Sequence, residues 1–126
     1  MYPPAMRYVC LLMTLVFVQF TRWQFNDLTQ YNTELWYCWV IAYALCVLVS
    51  LGSFFRALPR MVYLGVSVIG LVAGLIRFRS IEWDHEILYN PNNPSGNETG
   101  GLFIIAIWFG ILAWRHASLG CACKKA

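Results

Sequence analysis

Six carboxylates, two histidines and five cysteines are the groups in this 126-residue sequence that could hold a metal, move a proton or attack an electrophile. Hard cations take several oxygen ligands, which carboxylates and side-chain amides supply. Asn26 with Asp27, the run Asp84-His85-Glu86, and Glu98 therefore form a candidate polar or cation-binding cluster, to which Gln24 can add an amide. Local structure is the plainer reading of the same residues. Asn and Asp favour turns, Asn97 can cap a following helix, and Glu98 in its first turn suits the positive end of the dipole. A single histidine among the acids of Glu82–Glu86 is a weak metal pattern. The sequence holds no H-E-x-x-H, G-x-S-x-G or phosphate loop, and nothing pairs a nucleophile with a base. We expect no catalytic residue, no metal site and no cofactor.

The cysteines do not read as a disulfide framework. Cys10, Cys38 and Cys46 lie inside apolar runs, where a free thiol behaves as a small hydrophobe. Cys121 and Cys123 sit beside Lys124 and Lys125 in "GCACKKA", a setting suited to reversible S-acylation next to a membrane. The alternative is an ordinary basic tail. "NETG" places an N-x-T sequon at Asn97, a candidate glycosylation acceptor if that side is translocated.

These groups need a scaffold, and composition sets its class. The sequence is 60% hydrophobic and 12% charged, whereas soluble domains carry about a quarter charged residues. Mean hydropathy is +0.57. So few charges cannot cover a small water-soluble domain, which predicts an integral membrane protein and no nucleic-acid partner. Four apolar segments, near residues 8–25, 35–55, 58–78 and 100–118, approach the roughly 20 residues that a helix needs to cross hydrocarbon. The first and last reach that length if Arg22 and Arg115 snorkel toward headgroups. Pro59 suits the first turn of the third segment. The first segment lacks a small-residue cleavage site and is read as retained. The expected fold is an all-α, four-helix transmembrane bundle forming one domain over 1–126.

Charge distribution orients it. Four spans put Arg7, Arg56, Arg60, Arg115, Lys124 and Lys125 on one side with no acid. Arg22, Arg77 and Arg79 fall on the other side with all six acids: Asp27, Glu34, Glu82, Asp84, Glu86 and Glu98. Lys and Arg accumulate on the untranslocated side, so both termini are expected on the cytosolic or equivalent face. Tyr8, Trp23, Trp36, Tyr37, Tyr63, Trp83 and Trp114 fall near span ends, where aromatic belts form. His116, beside Arg115, is expected at a headgroup.

Gly65, Gly70 and Gly74 on the third helix and Ala106 with Gly110 on the fourth give small-residue spacings that let membrane helices approach closely. The plain role is packing within the bundle; the sharper one is association with another subunit. Asn26-Asp27 is expected to open the first loop, with "QFND" (Gln24–Asp27) as an architectural polar corner. It would pair with Glu98 through Arg22, Arg77 or Arg79.

"QFND" at Gln24–Asp27, "WVIAY" at Trp39–Tyr43 and "ETGGL" at Glu98–Leu102 together resemble the transmembrane protein 220 family. In that family a Q-x-N-D-P-D signature ends the first helix, a Trp and a Tyr lie one turn apart in the second, and Glu-x-x-Gly-Leu enters the last shared helix. Gln24, Asn26, Asp27, Trp39, Tyr43, Glu98, Gly101 and Leu102 carry the likeness. Leu28 and Thr29 stand where the family has Pro and Asp, and Asn97 stands where an arginine precedes the glutamate. The resemblance implies a small four-helix membrane protein and no established activity.

Three functions compete. An accessory or structural subunit, partnered by membrane lipids and other membrane subunits, fits the small size, short loops and close-packing glycines. A small-molecule, lipid or ion carrier with a polar site at the outer mouth is the alternative. It needs a polar path, for which the spans offer only Thr14, Gln19, Ser50, Ser53 and Ser67. A membrane enzyme built on the outer carboxylates and His85 lacks a recognisable constellation.

Overall fold

In hydrocarbon every backbone N–H and C=O needs an internal partner, and a helix supplies one within a single segment. The computed structural model describes residues 1–30, 36–81, 83 and 94–125. Four helices make up almost all of it: α1 (Pro4–Gln30), α2 (Trp36–Phe55), α3 (Arg60–Phe78) and α4 (Pro94–Lys125). Among the described residues there is no strand. Each helix contains a stretch long and apolar enough to cross a membrane: Pro4–Gln24, Tyr37–Phe55, Arg60–Phe78 and Asn97–Ala117. The 19 residues of each middle stretch cover about 28 Å at 1.5 Å per residue, close to a hydrocarbon core of about 30 Å. The protein is a multi-pass membrane protein.

The first and last helices run past the expected spans at the polar ends. α1 continues through "NDLTQ" to Gln30, so Asn26 and Asp27 lie inside the helix instead of opening a loop. α4 begins at Pro94 instead of near Gly100. Proline is pre-set for a first helical position, because its fixed φ is helical and its missing N–H would have no partner there. Asn97 is consequently three residues inside α4 and is not its cap, and no acid occupies the first turn. The turn-forming residues of "PSGNETGG" yield because each costs a helix only about 0.5–1 kcal/mol. Pro59 is the residue just before α3, with φ −53° and ψ 137°, and its carbonyl accepts a bond from the Val62 N–H at 2.9 Å.

Close contacts divide the chain into two units, Met1–Leu58 and Pro59–Ala126. In the first, α1 packs against α2; in the second, α3 packs against α4. The first hairpin buries Cys10, Thr14 and Phe17 on α1, and Tyr43, Cys46, Ser50 and Ser53 on α2. These recur at three- and four-residue steps, one stripe per helix. The hydroxyls of Thr14 and Ser53 donate to the carbonyls of Cys10 and Val49 in their own helices, at 2.8 and 2.7 Å. Polar side chains in this stripe thus need no water.

The second hairpin buries Tyr63, Gly70 and Gly74 on α3. On α4 it buries Thr99, Leu102, Ile105, Trp108, Phe109, Leu112 and Ala113. Ser67 differs from the hydroxyls above: its Oγ donates across to the Ala106 carbonyl of α4 at 2.7 Å. Large apolar side chains such as Leu15, Leu48, Ile69, Ile76 and Ile107 are exposed, each by more than half. A face of that kind suits lipid.

Candidate functional site

Antiparallel packing sets helix starts beside helix ends at both ends of a hairpin, and each hairpin places an arginine at one such junction. In the first, Arg7 Nε donates to the Phe54 carbonyl at 2.8 Å, and its guanidinium lies 4.8 Å from the centre of the Phe54 ring. Phe54 belongs to the last turn of α2. Carbonyls there have no donor within their own helix, and a cation complements the negative dipole end. The sequence reading used Arg7 only as a marker of sidedness. An arginine in the first turns of a helix with an antiparallel successor was the signal it passed over.

Toward the other end of this hairpin the aromatic rings link up. Phe20 meets Phe17 edge-on at 6.1 Å, stacks on Trp23 at 5.7 Å, and reaches across to Tyr43 edge-on at 5.5 Å. Tyr43 in turn stacks with Trp39 at 6.2 Å. Trp39 and Tyr43 are thus neighbours on one face of α2, and Tyr43 is buried. Gln24 lies one turn beyond Phe20 and is half-buried. The side chains of Asn26 and Asp27 lie outside the described residues. So does the expected grouping of Gln24, Asn26 and Asp27 with Glu98.

In the second hairpin the guanidinium of Arg77 pairs with the Glu98 carboxylate. Glu98 is 15% exposed and Arg77 37% exposed. Arg77 sits in the last turn of α3, where its charge also complements that helix end. Of the three arginines offered by the sequence as partners, Arg77 is the one that α3 presents to Glu98. A carboxylate already matched by an arginine in a half-buried setting is a poor free ligand for a hard cation, because a cation would have to displace that arginine. Beside it, Thr99 is buried, and its hydroxyl has no hydrogen-bond partner among the described residues.

The glycines divide by position. A Cβ built on Gly70 would stand 3.0 Å from Ile105 Cγ2, 3.1 Å from the Ala106 nitrogen and 3.1 Å from the Leu102 oxygen. One on Gly74 would meet the Phe103 ring at 2.7 and 2.8 Å. On α4, a Cβ at Gly110 would come 3.3 Å from Ser67 Oγ. Gly65 is exposed with nothing within 4 Å, so the packing role expected of it is not seen inside this chain. At that end of the hairpin Tyr63 is fully buried and stacks on Phe109 at 6.5 Å. His116 leans on Tyr63 at 6.3 Å and is half-buried.

The remaining sequence candidates fall elsewhere. Glu82, Asp84, His85 and Glu86 lie outside the described residues. Among the described residues no three His, Cys, Asp or Glu side chains gather as a metal site. Asn97 is helical and begins the fourth candidate span, whereas a glycosylation acceptor sits on a surface loop. Cys121 and Cys123 lie in the final turns of α4, past the end of the span at Ala117; their side chains are outside the described residues.

Comparison with known proteins places this arrangement. Residues 16–114, most of the chain, match the family described as Transmembrane family 220, helix. The matched region holds Gln24, Trp39, Tyr43, Glu98, Gly101 and Leu102. The chain belongs to this family. No curated protein and no solved structure matches it.

Proposed function

We propose that this member of the transmembrane 220 family is a non-enzymatic accessory or structural subunit that packs within a larger membrane assembly. One observation carries the reading. Within its own hairpin α3 turns Gly70 and Gly74 toward α4 and leaves open space above Gly65. Small residues permit close backbone approach between membrane helices, where van der Waals packing drives association. Gly70 and Gly74 use that property toward α4, and Gly65 offers it outward. The Arg77–Glu98 pair and the Arg7–Phe54 bond support the same reading, since both tie helix ends together. Both termini belong on the side rich in Lys and Arg, by the asymmetry of the loops.

The test is purification in mild detergent with identification of the chains recovered, for the native sequence and for Gly65→Leu. Gly65 is exposed and a Cβ built there meets nothing within 4 Å, so Gly65→Leu is expected to keep its helicity, which circular dichroism checks. A subunit gives stoichiometric companions that Gly65→Leu loses. Recovery of the native chain alone, or equal recovery of companions by the variant, overturns the proposal. A carrier with a polar site at the outer mouth remains the alternative, and no specific observation favours it.

A further inference from the structure

The first hairpin has an open groove of about 450 Å³ between α1 and α2, lined by Val18, Thr21, Arg22, Ala44, Val47 and Leu48. Ligand sites run from roughly 300 to 1,000 Å³, so the space is ample for part of a small amphiphile. Its walls are matched. Val18, Thr21 and Arg22 stand at i, i+3 and i+4 on α1, and Ala44, Val47 and Leu48 repeat that step on α2, so each helix contributes one turn. Ala44, the smallest of the six, leaves the space. Thr21 presents no free donor to it, because its hydroxyl already donates to the Phe17 carbonyl at 2.8 Å.

Only Arg22 is charged. It is exposed, has no carboxylate partner among the described residues, and lies two residues inside the end of the span Pro4–Gln24. Exposed Trp23 follows it, as an aromatic at the membrane–water boundary would. An arginine at that depth lays its methylenes along the apolar wall and lifts its guanidinium to headgroup level. There its planar donors match phosphate oxygens two at a time.

We propose that this groove is a phospholipid site: one acyl chain lies between Val18 and Leu48, and Arg22 binds the lipid phosphate. Two features select this occupant. The groove is apolar along its length, which rejects a soluble anion. It carries one cation at its mouth, which distinguishes a phospholipid from a neutral acylglycerol. The site belongs to one hairpin and stands whether or not the chain has partner subunits.

The experiment is native mass spectrometry of the delipidated full chain in a mild detergent, titrated with dioleoyl phosphatidic acid or with dioleoylglycerol. One phosphatidic acid per chain is expected, with dioleoylglycerol held about tenfold more weakly, the scale of one charge-assisted hydrogen-bonded contact. Arg22→Gln should bring phosphatidic acid down to the dioleoylglycerol level. Leu48→Trp, on an exposed rim residue that tolerates size, should reduce both lipids. Leu71→Trp, on the exposed face of α3, should change neither. Millimolar inorganic phosphate should not compete. Helicity by circular dichroism checks each variant, and if Leu48→Trp loses it, Val18→Trp on the opposite wall takes its place. Native-like retention of phosphatidic acid by Arg22→Gln, or by the folded groove-filling variant, overturns the proposal. So does displacement by inorganic phosphate, which would make Arg22 a soluble-anion site.

Discussion

Replacing each of three glycines, Gly65, Gly110 and Gly70, by alanine should move stability in different directions, and the structure sets the order. Alanine gains up to about 1 kcal/mol over glycine in a helix interior from reduced backbone freedom. At Gly65 nothing opposes that gain, because the new methyl meets nothing within 4 Å; Gly65→Ala should stabilise by about 0.5–1 kcal/mol. At Gly110 the methyl meets Ser67 Oγ at 3.3 Å, and that hydroxyl can turn back to a carbonyl of its own helix. Losing the crossing bond costs about 0.6 kcal/mol, so Gly110→Ala should be near neutral. At Gly70 the obstacles are the Ala106 nitrogen and Leu102 oxygen, both at 3.1 Å. Backbone atoms cannot rotate away, so α3 and α4 must separate by a few tenths of an ångström along their contact. Overpacking of that kind costs about 1–3 kcal/mol, and the helix gain offsets only part of it. Gly70→Ala should therefore destabilise by up to about 2 kcal/mol. Gly70→Leu and Gly74→Leu should exceed Leu71→Ala, which trims a side chain already 47% exposed. Reversible unfolding in bicelles, followed by helix content, measures the series. If Gly70→Ala stabilises as much as Gly65→Ala, the close approach of α3 and α4 at this point is refuted.

Glu98→Ala leaves Arg77 without its carboxylate and should cost about 1–2 kcal/mol, below the usual cost for a buried pair because Arg77 is 37% exposed; adding Arg77→Met should recover part of it in the same unfolding assay. Arg7→Leu removes both the bond to the Phe54 carbonyl and the ring contact, at a cost of about 1–3 kcal/mol. Arg7→Lys should restore only part of that, which a three-way comparison of melting curves would show. Cys121 and a cysteine introduced by Ser95→Cys should label from opposite sides of the membrane; labelling of both from one side contradicts the four-span topology.

The four spans were legible because twenty apolar residues in a row admit few structures in lipid. Their ends were not. "NDLTQ" and "PSGNETGG" carry turn-forming residues whose preferences are worth less than continuing a helix already propagated by its neighbours. The partner of Glu98 shows a second limit. Sequence placed Arg22, Arg77 and Arg79 on the same side but could not choose, because a long loop between α3 and α4 leaves their register open. The glycines set that register. Gly70 lies against Leu102, Ile105 and Ala106, and Gly74 against Leu102 and Phe103. From Gly74, Arg77 is three residues onward along α3; from Leu102, Glu98 is four residues back along α4. The helices run antiparallel, so both steps climb about 5 Å in the same direction, and each stays on the face it started from because it is close to one turn. Arg79, five residues from Gly74, has turned well away from that face. Shifting the register by removing the close approach at Gly70 should thus weaken the Arg77–Glu98 pair as well. Its stability contribution, measured by the double-mutant cycle, is expected to shrink in a Gly70→Leu background.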